Sequence, residues 1–338
     1  MSGPGIDADL PALVTIDEIR AAARILRGVA VRTPLVPFGR PERRHWLKAE
    51  SLQPIGAFKL RGAYLAAATL TPGERARGLI TYSSGNHAQG VARAARLLGV
   101  PAVIVMPSDA PALKRARVEA DGAEVVIVGT ASDERKRVAE EIATTRGLAM
   151  IPPYDDPRIV AGQGTAGLEI AEDMPDVAAV LVPIGGGGLA AGVAAAITAL
   201  VPGARLIGVE PELAADARDS LAQGRIVRWE AERVSRTIAD GTRTQSIGRI
   251  NFAHLREQLD VIVTVSEAEI AAAVRLSAEE ARLVVEPSGA LPIAAMRFHA
   301  AEAGLTGLDG PIVGVVSGGN VDPDRYLGYL EAPIPPEG

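Results

Sequence analysis

Lys59 is the first residue of this chain whose surroundings suggest chemistry. It stands in GAFKLRGAY (56–64), at a loop-to-helix junction, flanked by Phe58 and Leu60. Burial among apolar groups disfavours an ammonium and lowers its pKa. The resulting neutral amine is a nucleophile that can form a Schiff base with a carbonyl compound. A lone lysine near a helix start is more often an ordinary surface residue, so the neighbouring motifs decide its meaning. SSGNHAQG (83–90) follows an apolar run and opens a helical pattern. Backbone N–H groups at a helix N-terminus bind a carboxylate or phosphate. The hydroxyls of Ser83 and Ser84 and the amide of Asn86 add donors beyond what a simple cap needs. PIGGGGLAAG (183–192) again runs from a β-like segment into a helical one. Four consecutive glycines cost folding entropy, and they allow the backbone to wrap an anion closely. VVSGGNVDP (315–323) places Ser317 at the end of the last apolar strand, where open α/β sheets bind ligands.

These segments need elements to hold them in one place. TIDEIRAAARIL (15–26) reads as a helix with a capping box formed by Thr15 and Glu18. KLRGAYLAAATL is a helix that stops at Thr71-Pro72-Gly73. From residue 78, β and α patterns alternate: GLITYS, the helix from Asn86, VPAVIVMP, PALKRARVEADG, AEVVIVG and SDERKRVAEEIATTRG. Such alternation predicts parallel sheets with helices on their faces. The Pro-rich stretch MIPPYDDPRIV (150–160) marks a crossing between domains. After it come a helix over 164–172, the strand VAAVLVPI, the glycine loop with its helix (189–200), and the strand RLIGVEP. Helices over 267–282 and near 290–303, and the strand PIVGVVS, close the pattern.

Composition narrows the function further. The 338 residues exceed one ordinary core and predict two domains. A net charge of −6 provides no global basic field for nucleic acid or anionic membrane. Aromatic residues are 3%, too few for a base-stacking surface. The chain has no cysteine, which excludes disulfides, thiolate metal sites and a thiol nucleophile. None of the four histidines pairs with another at i, i+4, so a zincin helix is excluded. The acidic start lacks the charged and apolar regions of a signal peptide. The uncharged run Val177–Ala204 is broken by Pro183 and Gly185–Gly188, which fits a strand, loop and buried helix better than a membrane span. A cytoplasmic protein is expected. One rival class remains open at this point: Gly186-x-Gly188-x-x-Ala191, with Glu210 about 20 residues on, also fits the dinucleotide fingerprint of an NAD-dependent oxidoreductase.

Taken together and in this order, SLQPIGAFKLRGA, SSGNHAQGVA, PIGGGGLAAG and VSGGN resemble the fold-type II pyridoxal 5′-phosphate (PLP) enzymes. Within them, the resemblance is specifically to the group of threonine and serine dehydratases and serine racemase. It extends over about residues 15–330, and TIADGTRTQSIG (237–248) is similar as well. The dinucleotide reading has no use for Lys59 or the SSGNH loop. The resemblance implies an α/β fold of two open, twisted, mostly parallel sheet domains, tryptophan synthase β-like, with the cofactor in the cleft between them. The expected boundaries are 1–52 and 153–338 for a large PLP-binding domain and 53–152 for a small one.

The resemblance also implies roles. Lys59 would hold PLP and act as the base at the substrate Cα, with Phe58 beside it. Asn86 would bond the cofactor's ring hydroxyl, Gly185, Gly186, Gly187, Gly188 and Leu189 its phosphate, and Ser317 would face its pyridine nitrogen. Ser83, Gly85, Asn86 and His87 would surround the substrate carboxylate, mainly through backbone N–H groups. Ser84 would be the second catalytic group, on the opposite face of the cofactor. Glu286, in VEPSGA, would line the site. Glu210, the carbonyl of Ala214, and Asp216 match the divalent-cation site of racemase-like members, suited to Mg²⁺ or Ca²⁺. Ala57 departs from the Ser or Thr of many relatives. The implied reaction is β-elimination from L-threonine or L-serine, giving a 2-oxo acid and ammonia. 3-Hydroxyaspartate dehydration and serine racemisation are the alternatives. A substrate with a second carboxylate would want a cation, for which Arg243 and Arg135 are candidates. A homodimer is expected from the resemblance, and the length suggests no added regulatory domain.

Overall fold

The computed structural model describes residues 10–83, 85–110, 112–129 and 132–337; Ser84 therefore lies outside the described residues. The apolar runs collect into two sheets. The larger has the order β1 (Leu35–Phe38), β2 (His45–Ala49), β10 (Ile312–Val316), β7 (Ala179–Pro183), β8 (Arg205–Pro211) and β9 (Val261–Val265). The smaller has the order β5 (Glu124–Val128), β4 (Ala102–Pro107), β3 (Leu79–Tyr82) and β6 (Ala149–Met150). Only β1 and β2 pair antiparallel; every other pairing is parallel, as the β-α alternation predicts.

Alternation along the buried strands builds two core layers on the larger sheet. Leu181 of β7 faces one layer and Val180 and Val182 the other; Val313 and Val315 of β10 share the second layer, while Ile312 and Val316 join the first. This is the two-residue period of a strand covered on both faces. Helices Glu267–Ala281 and Pro287–Phe298 cover the first face, and helices Pro157–Asp173 and Gly188–Leu200 the second. Because the strands run parallel, the loops after β3, β7 and β10 leave from carboxyl ends, where such sheets bind ligands.

The first helix forms as read: Thr15 caps Ile16–Leu26, and its N–H donates to the Glu18 carboxylate at 2.7 Å. The helix from Leu60 ends at Ala68, before Thr71-Pro72-Gly73, and that tripeptide starts another, Pro72–Arg77, because Thr71 and Glu74 form a second capping box with Pro72 in the first turn. The helix expected over 164–172 begins earlier, at Pro157, capped by Asp156. Its glycines resemble breakers in sequence but are contact points: a Cβ on Gly162 would lie 2.6 Å from the Gly62 Cα, and one on Gly164 would lie 2.9 Å from the Gly192 carbonyl. β9 and β6 also form outside the segments read as strands. Among the described residues, no helix is long and apolar enough to cross a membrane.

Candidate active site

Lys59 is held by strand-like stitching to the end of β10. Ala57 bridges antiparallel to Gly318, the Phe58 N–H donates to the Ser317 carbonyl at 3.0 Å, and the Gly319 N–H donates to the Gly56 carbonyl at 2.9 Å. Gly56 turns the chain with a positive φ of 73°, and a Cβ there would overlap the Asn320 side chain. Lys59 itself is helical and immediately precedes the helix Leu60–Ala68. Its Nζ donates to the Pro153 carbonyl at 2.8 Å and lies 5.1 Å from the Phe58 ring centroid. Burial pulls its pKa down to about 8. Across the junction, a Cβ on Gly90 would sit 3.2 Å from the Lys59 carbonyl, so the helix Asn86–Leu98 presses directly on the Lys59 turn.

The loop after β3 lies alongside. Ser83 donates its N–H to the Val105 carbonyl at 3.1 Å, and the Gly85 N–H donates to Ser83 Oγ at 3.3 Å. Asn86 opens the helix. Its Nδ2 donates to Glu286 Oε1 at 2.6 Å, and its Oδ1 accepts from Asn320 Nδ2 at 2.8 Å. Glu286 occupies the cap position of the helix Pro287–Phe298 but makes no side-chain cap; it turns inward instead. Burial, followed by the nearby charge of Asp240, pushes its pKa up to about 7, and its Oε2 is buried with no hydrogen-bond partner. His87 is buried and faces away from the loop, with Nε2 3.0 Å from the Ile151 carbonyl. A carbonyl only accepts, so Nε2 carries the proton. Burial and the neighbouring Lys59 hold the imidazole pKa down at about 3, so it stays neutral.

The glycine loop connects β7 to the helix Gly188–Leu200, with Gly187 in the left-handed region at φ 90°. The first N–H groups of a helix have no partner within it and point outward as donors. Each glycine is tightly enclosed. A Cβ on Gly185 would be 3.1 Å from the Gly241 carbonyl, one on Gly187 would be 2.9 Å from the Asn251 Cβ, one on Gly188 would be 3.0 Å from the Tyr154 carbonyl, and one on Gly186 would overlap the Tyr154 ring. The loop can run this close to Tyr154, Gly241 and Asn251 only because it lacks side chains. Ser317, at the end of β10, is buried against the same cleft.

Several groups here were not singled out in the sequence. Tyr154 covers the glycine loop. Asn320 ties Asn86 to the Ile55 carbonyl at 2.8 Å and receives Arg117. Lys114 binds Asp240 at 2.6 Å, and its Nζ would be 3.7 Å from a Cβ on Gly85. Of the cations considered for a second carboxylate, Arg243 donates to the Thr237 carbonyl at 2.9 Å, and Arg135 is half-buried near Asp109. Asn320 lies in the VSGGN motif and offered a signal; Tyr154, in the Pro-rich crossing, did not.

A second acidic site lies beyond β8. Glu210 is buried and accepts the N–H groups of Ala217 at 3.0 Å and Arg218 at 2.8 Å. Burial, and then Asp216, push its pKa well up. Both oxygens of Asp216 are buried without a complete hydrogen bond, and burial raises its pKa to about 7. Ala214 is buried beside it. Among the described residues, no group of three or more His, Cys, Asp and Glu side chains is arranged to hold a metal ion, so a cation here would depend on these two carboxylates, a backbone carbonyl and water.

Comparison with known proteins agrees with this geometry. Residues 26–318 match the family described as pyridoxal-phosphate dependent enzyme. The chain is 43% identical to the L-threo-3-hydroxyaspartate ammonia-lyase of Saccharomyces cerevisiae, over 83% of this chain and 84% of that one. It is 39% identical to the serine racemase of Schizosaccharomyces pombe, over 94% and 98% of the two chains. The crystal structure of a threonine deaminase from T.th. superposes with a TM-score of 0.83 at 47% identity, covering 91% of this chain and 99% of that one.

Proposed function

The chain belongs to the pyridoxal-phosphate dependent enzymes, and from that premise we propose that it is an L-threonine/L-serine ammonia-lyase. The observation that carries the reading is a buried lysine amine set between two backbone cradles, one suited to a phosphate and one to a carboxylate. Lys59 would hold the cofactor, with the N–H groups of Gly185 to Leu189 at its phosphate, Ser317 at its ring nitrogen and Asn86 at its ring hydroxyl. Phe58 and Glu286 would form walls. The residues fit the group: the side-chain-free loop leads into the first N–H groups of the helix Gly188–Leu200, which suit a phosphate, and Glu286 Oε2 is a buried acceptor with no partner. When bound, PLP supplies the electron sink that acidifies the substrate Cα–H.

The chain's own groups supply the rest. The backbone of Ser83, Gly85, Asn86 and His87 would orient the substrate carboxylate. Lys59, with its pKa down at about 8, has an appreciable neutral fraction near neutral pH and can accept the Cα proton. Loss of the β-hydroxyl as water, followed by hydrolysis of the released enamine, gives one 2-oxo acid and one ammonia per substrate. Ser317 offers a neutral hydroxyl where a carboxylate would prolong charge storage, which suits rapid β-elimination.

The neutral side chains of threonine and serine are favoured over a dicarboxylate because the cation nearest Gly85, Lys114, is already paired with Asp240 and has Glu286 nearby. A second carboxylate would meet a field that is already neutralised. The likeness to a 3-hydroxyaspartate ammonia-lyase supports that second reading. The test follows ammonia, 2-oxo acid and chirality with L-threonine, L-serine, L-threo-3-hydroxyaspartate and D-serine. The two monocarboxylates are expected to lead in kcat/KM by about tenfold or more, within the ~1–4 kcal/mol of a close charge interaction. A dicarboxylate preference would assign the second reading, and L-to-D conversion outpacing elimination would assign racemisation.

We infer further that Glu210, the Ala214 carbonyl and Asp216 hold Mg²⁺ or Ca²⁺. Two adjacent buried carboxylates, one without donors, are costly unless a cation or protons neutralise them. Adding Ca²⁺ to EDTA-treated holoenzyme should raise Tm by several degrees through mass action, and Glu210→Ala should abolish that response. An unchanged Tm in the unsubstituted protein would leave the pair as buried acids that share protons.

A further inference from the structure

Two residues beyond Lys59, Arg61 enters a buried cluster of charges that the proposed chemistry does not use. Its side chain is 1% exposed, and Lys48 and Glu50 are fully buried. The guanidinium grips two carboxylates at once. Nε and Nη2 donate to the two oxygens of Glu50, each at 2.8 Å, while Nη1 and Nη2 donate to those of Glu169 at 2.7 and 2.9 Å. Nη1 also reaches Thr165 Oγ1 at 3.0 Å. Lys48 completes the balance, with Nζ 2.6 Å from Glu169 and donating to the Thr33 carbonyl at 2.6 Å. Two cations thus meet two anions in one enclosed site.

The placement of the partners gives the cluster its meaning. Glu50 lies just after β2, whereas Thr165 and Glu169 are on the helix Pro157–Asp173, a few residues after the Pro153 whose carbonyl holds the Lys59 amine. Residues two apart on a helix leave on nearly opposite sides. Lys59 therefore points toward Pro153 while Arg61 points toward Glu50 and Glu169. The same turn is pressed by Gly162 against Gly62, and Gln163 accepts the Gly62 N–H at 3.3 Å. Buried ion pairs add little net stability over apolar side chains of equal volume. A planar fork fixed at both ends does define one orientation, which a lysine cannot reproduce.

We propose that Arg61 is a positioning residue: by clamping the Lys59 turn to Glu50 and Glu169, it sets the Lys59 amine against Pro153 and the cleft. This rests on the reading of Lys59 as the cofactor-bearing residue.

The test uses holoenzyme of Arg61→Lys and of Glu169→Gln. Turnover is expressed per mole of cofactor fixed to Lys59 by borohydride, and the visible circular dichroism of the bound cofactor is recorded beside it. Arg61→Lys is expected to lower kcat by about 100-fold, the effect of displacing a reacting group by roughly 1 Å. KM should change little, and the circular dichroism band should weaken or change sign. Glu169→Gln should change the same two readouts in the same direction. A merely structural cluster would lower Tm and the yield of holoenzyme but leave both readouts within twofold, which would overturn the proposal. If neither variant folds as holoenzyme, the cluster is a folding element and the positioning role is dropped. If the unsubstituted protein fixes no cofactor at Lys59, the failure lies in the underlying functional reading instead.

Discussion

Lys59→Ala is expected to leave a folded but colourless protein whose turnover of L-threonine or L-serine is at least about 10⁴-fold lower, the upper range for losing a positioned proton-transfer group. The fold should survive because, among the described residues, the Lys59 amine makes a single hydrogen bond, to the Pro153 carbonyl. The backbone of the turn is held independently by the β10 stitching and by Gly90. The activity should not survive because, among the described residues, no second amine is placed to substitute: Lys136 lies exposed beside Glu140. Lys48 is tied to Glu169 and Thr33, and Lys114 to Asp240. A pH profile adds an independent check. Burial holds the Lys59 pKa at about 8, so the amine gains its free electron pair as pH rises through that value, and cofactor uptake by apoenzyme should rise with it. Borohydride should fix the cofactor on the Lys59 peptide. A yellow Lys59→Ala protein with normal turnover would refute the assignment.

Much of this site could be read in the sequence, because its chemistry sits in short motifs whose types are unusual locally. Four glycines between a strand and a helix, and two serines ahead of a helix, each exceed the needs of the backbone alone, and together they give meaning to a lysine between Phe58 and Leu60. The groups around them could not be read in the same way. Asn320 meets Asn86 across 234 residues, and Arg61 meets Glu169 across 108. Nothing local marks such partners, since the fold alone brings them together. The glycines of the Pro157–Asp173 helix show the opposite effect. Glycine has low helix propensity, yet the helix runs on through Gly162 ahead of the expected 164–172, and at Gly162, Gly164 and Gly167 neighbouring backbones come close. Tertiary contact outweighs propensity there. Glu286 shows a third case: its position alone marks it as a helix-end acid, the resemblance places it at the site, and the inward turn toward Asn86 gives it a partner there.

Gly186→Ala should weaken cofactor binding by about 10³-fold, roughly 4 kcal/mol, the worth of about two charge-assisted hydrogen bonds. The backbone at Gly186 is not among the positive-φ positions, so alanine is allowed there conformationally and only space is at issue. That space is filled by Tyr154, whose nearest atoms are the base of the ring rather than its mobile end. Nor can the Tyr154 segment move away easily. Asp155 accepts the N–H groups of Arg249 at 3.1 Å and Ile250 at 3.0 Å, and Asn251 Nδ2 donates to the Gly186 carbonyl at 2.6 Å. The loop must therefore shift, taking its outward N–H groups out of register with a bound phosphate. Because the collision has one partner, the prediction has an internal control. Tyr154→Ala in the Gly186→Ala background removes the overlapping ring and should recover at least about tenfold of the lost affinity, with the two substitutions coupling strongly because they share one contact. Equilibrium titration of apoenzyme with PLP, read by visible absorbance, measures both variants. Unchanged affinity in Gly186→Ala would show that the cradle does not hold the phosphate, and affinity lost without recovery in the double variant would mean that Tyr154 itself contributes to binding.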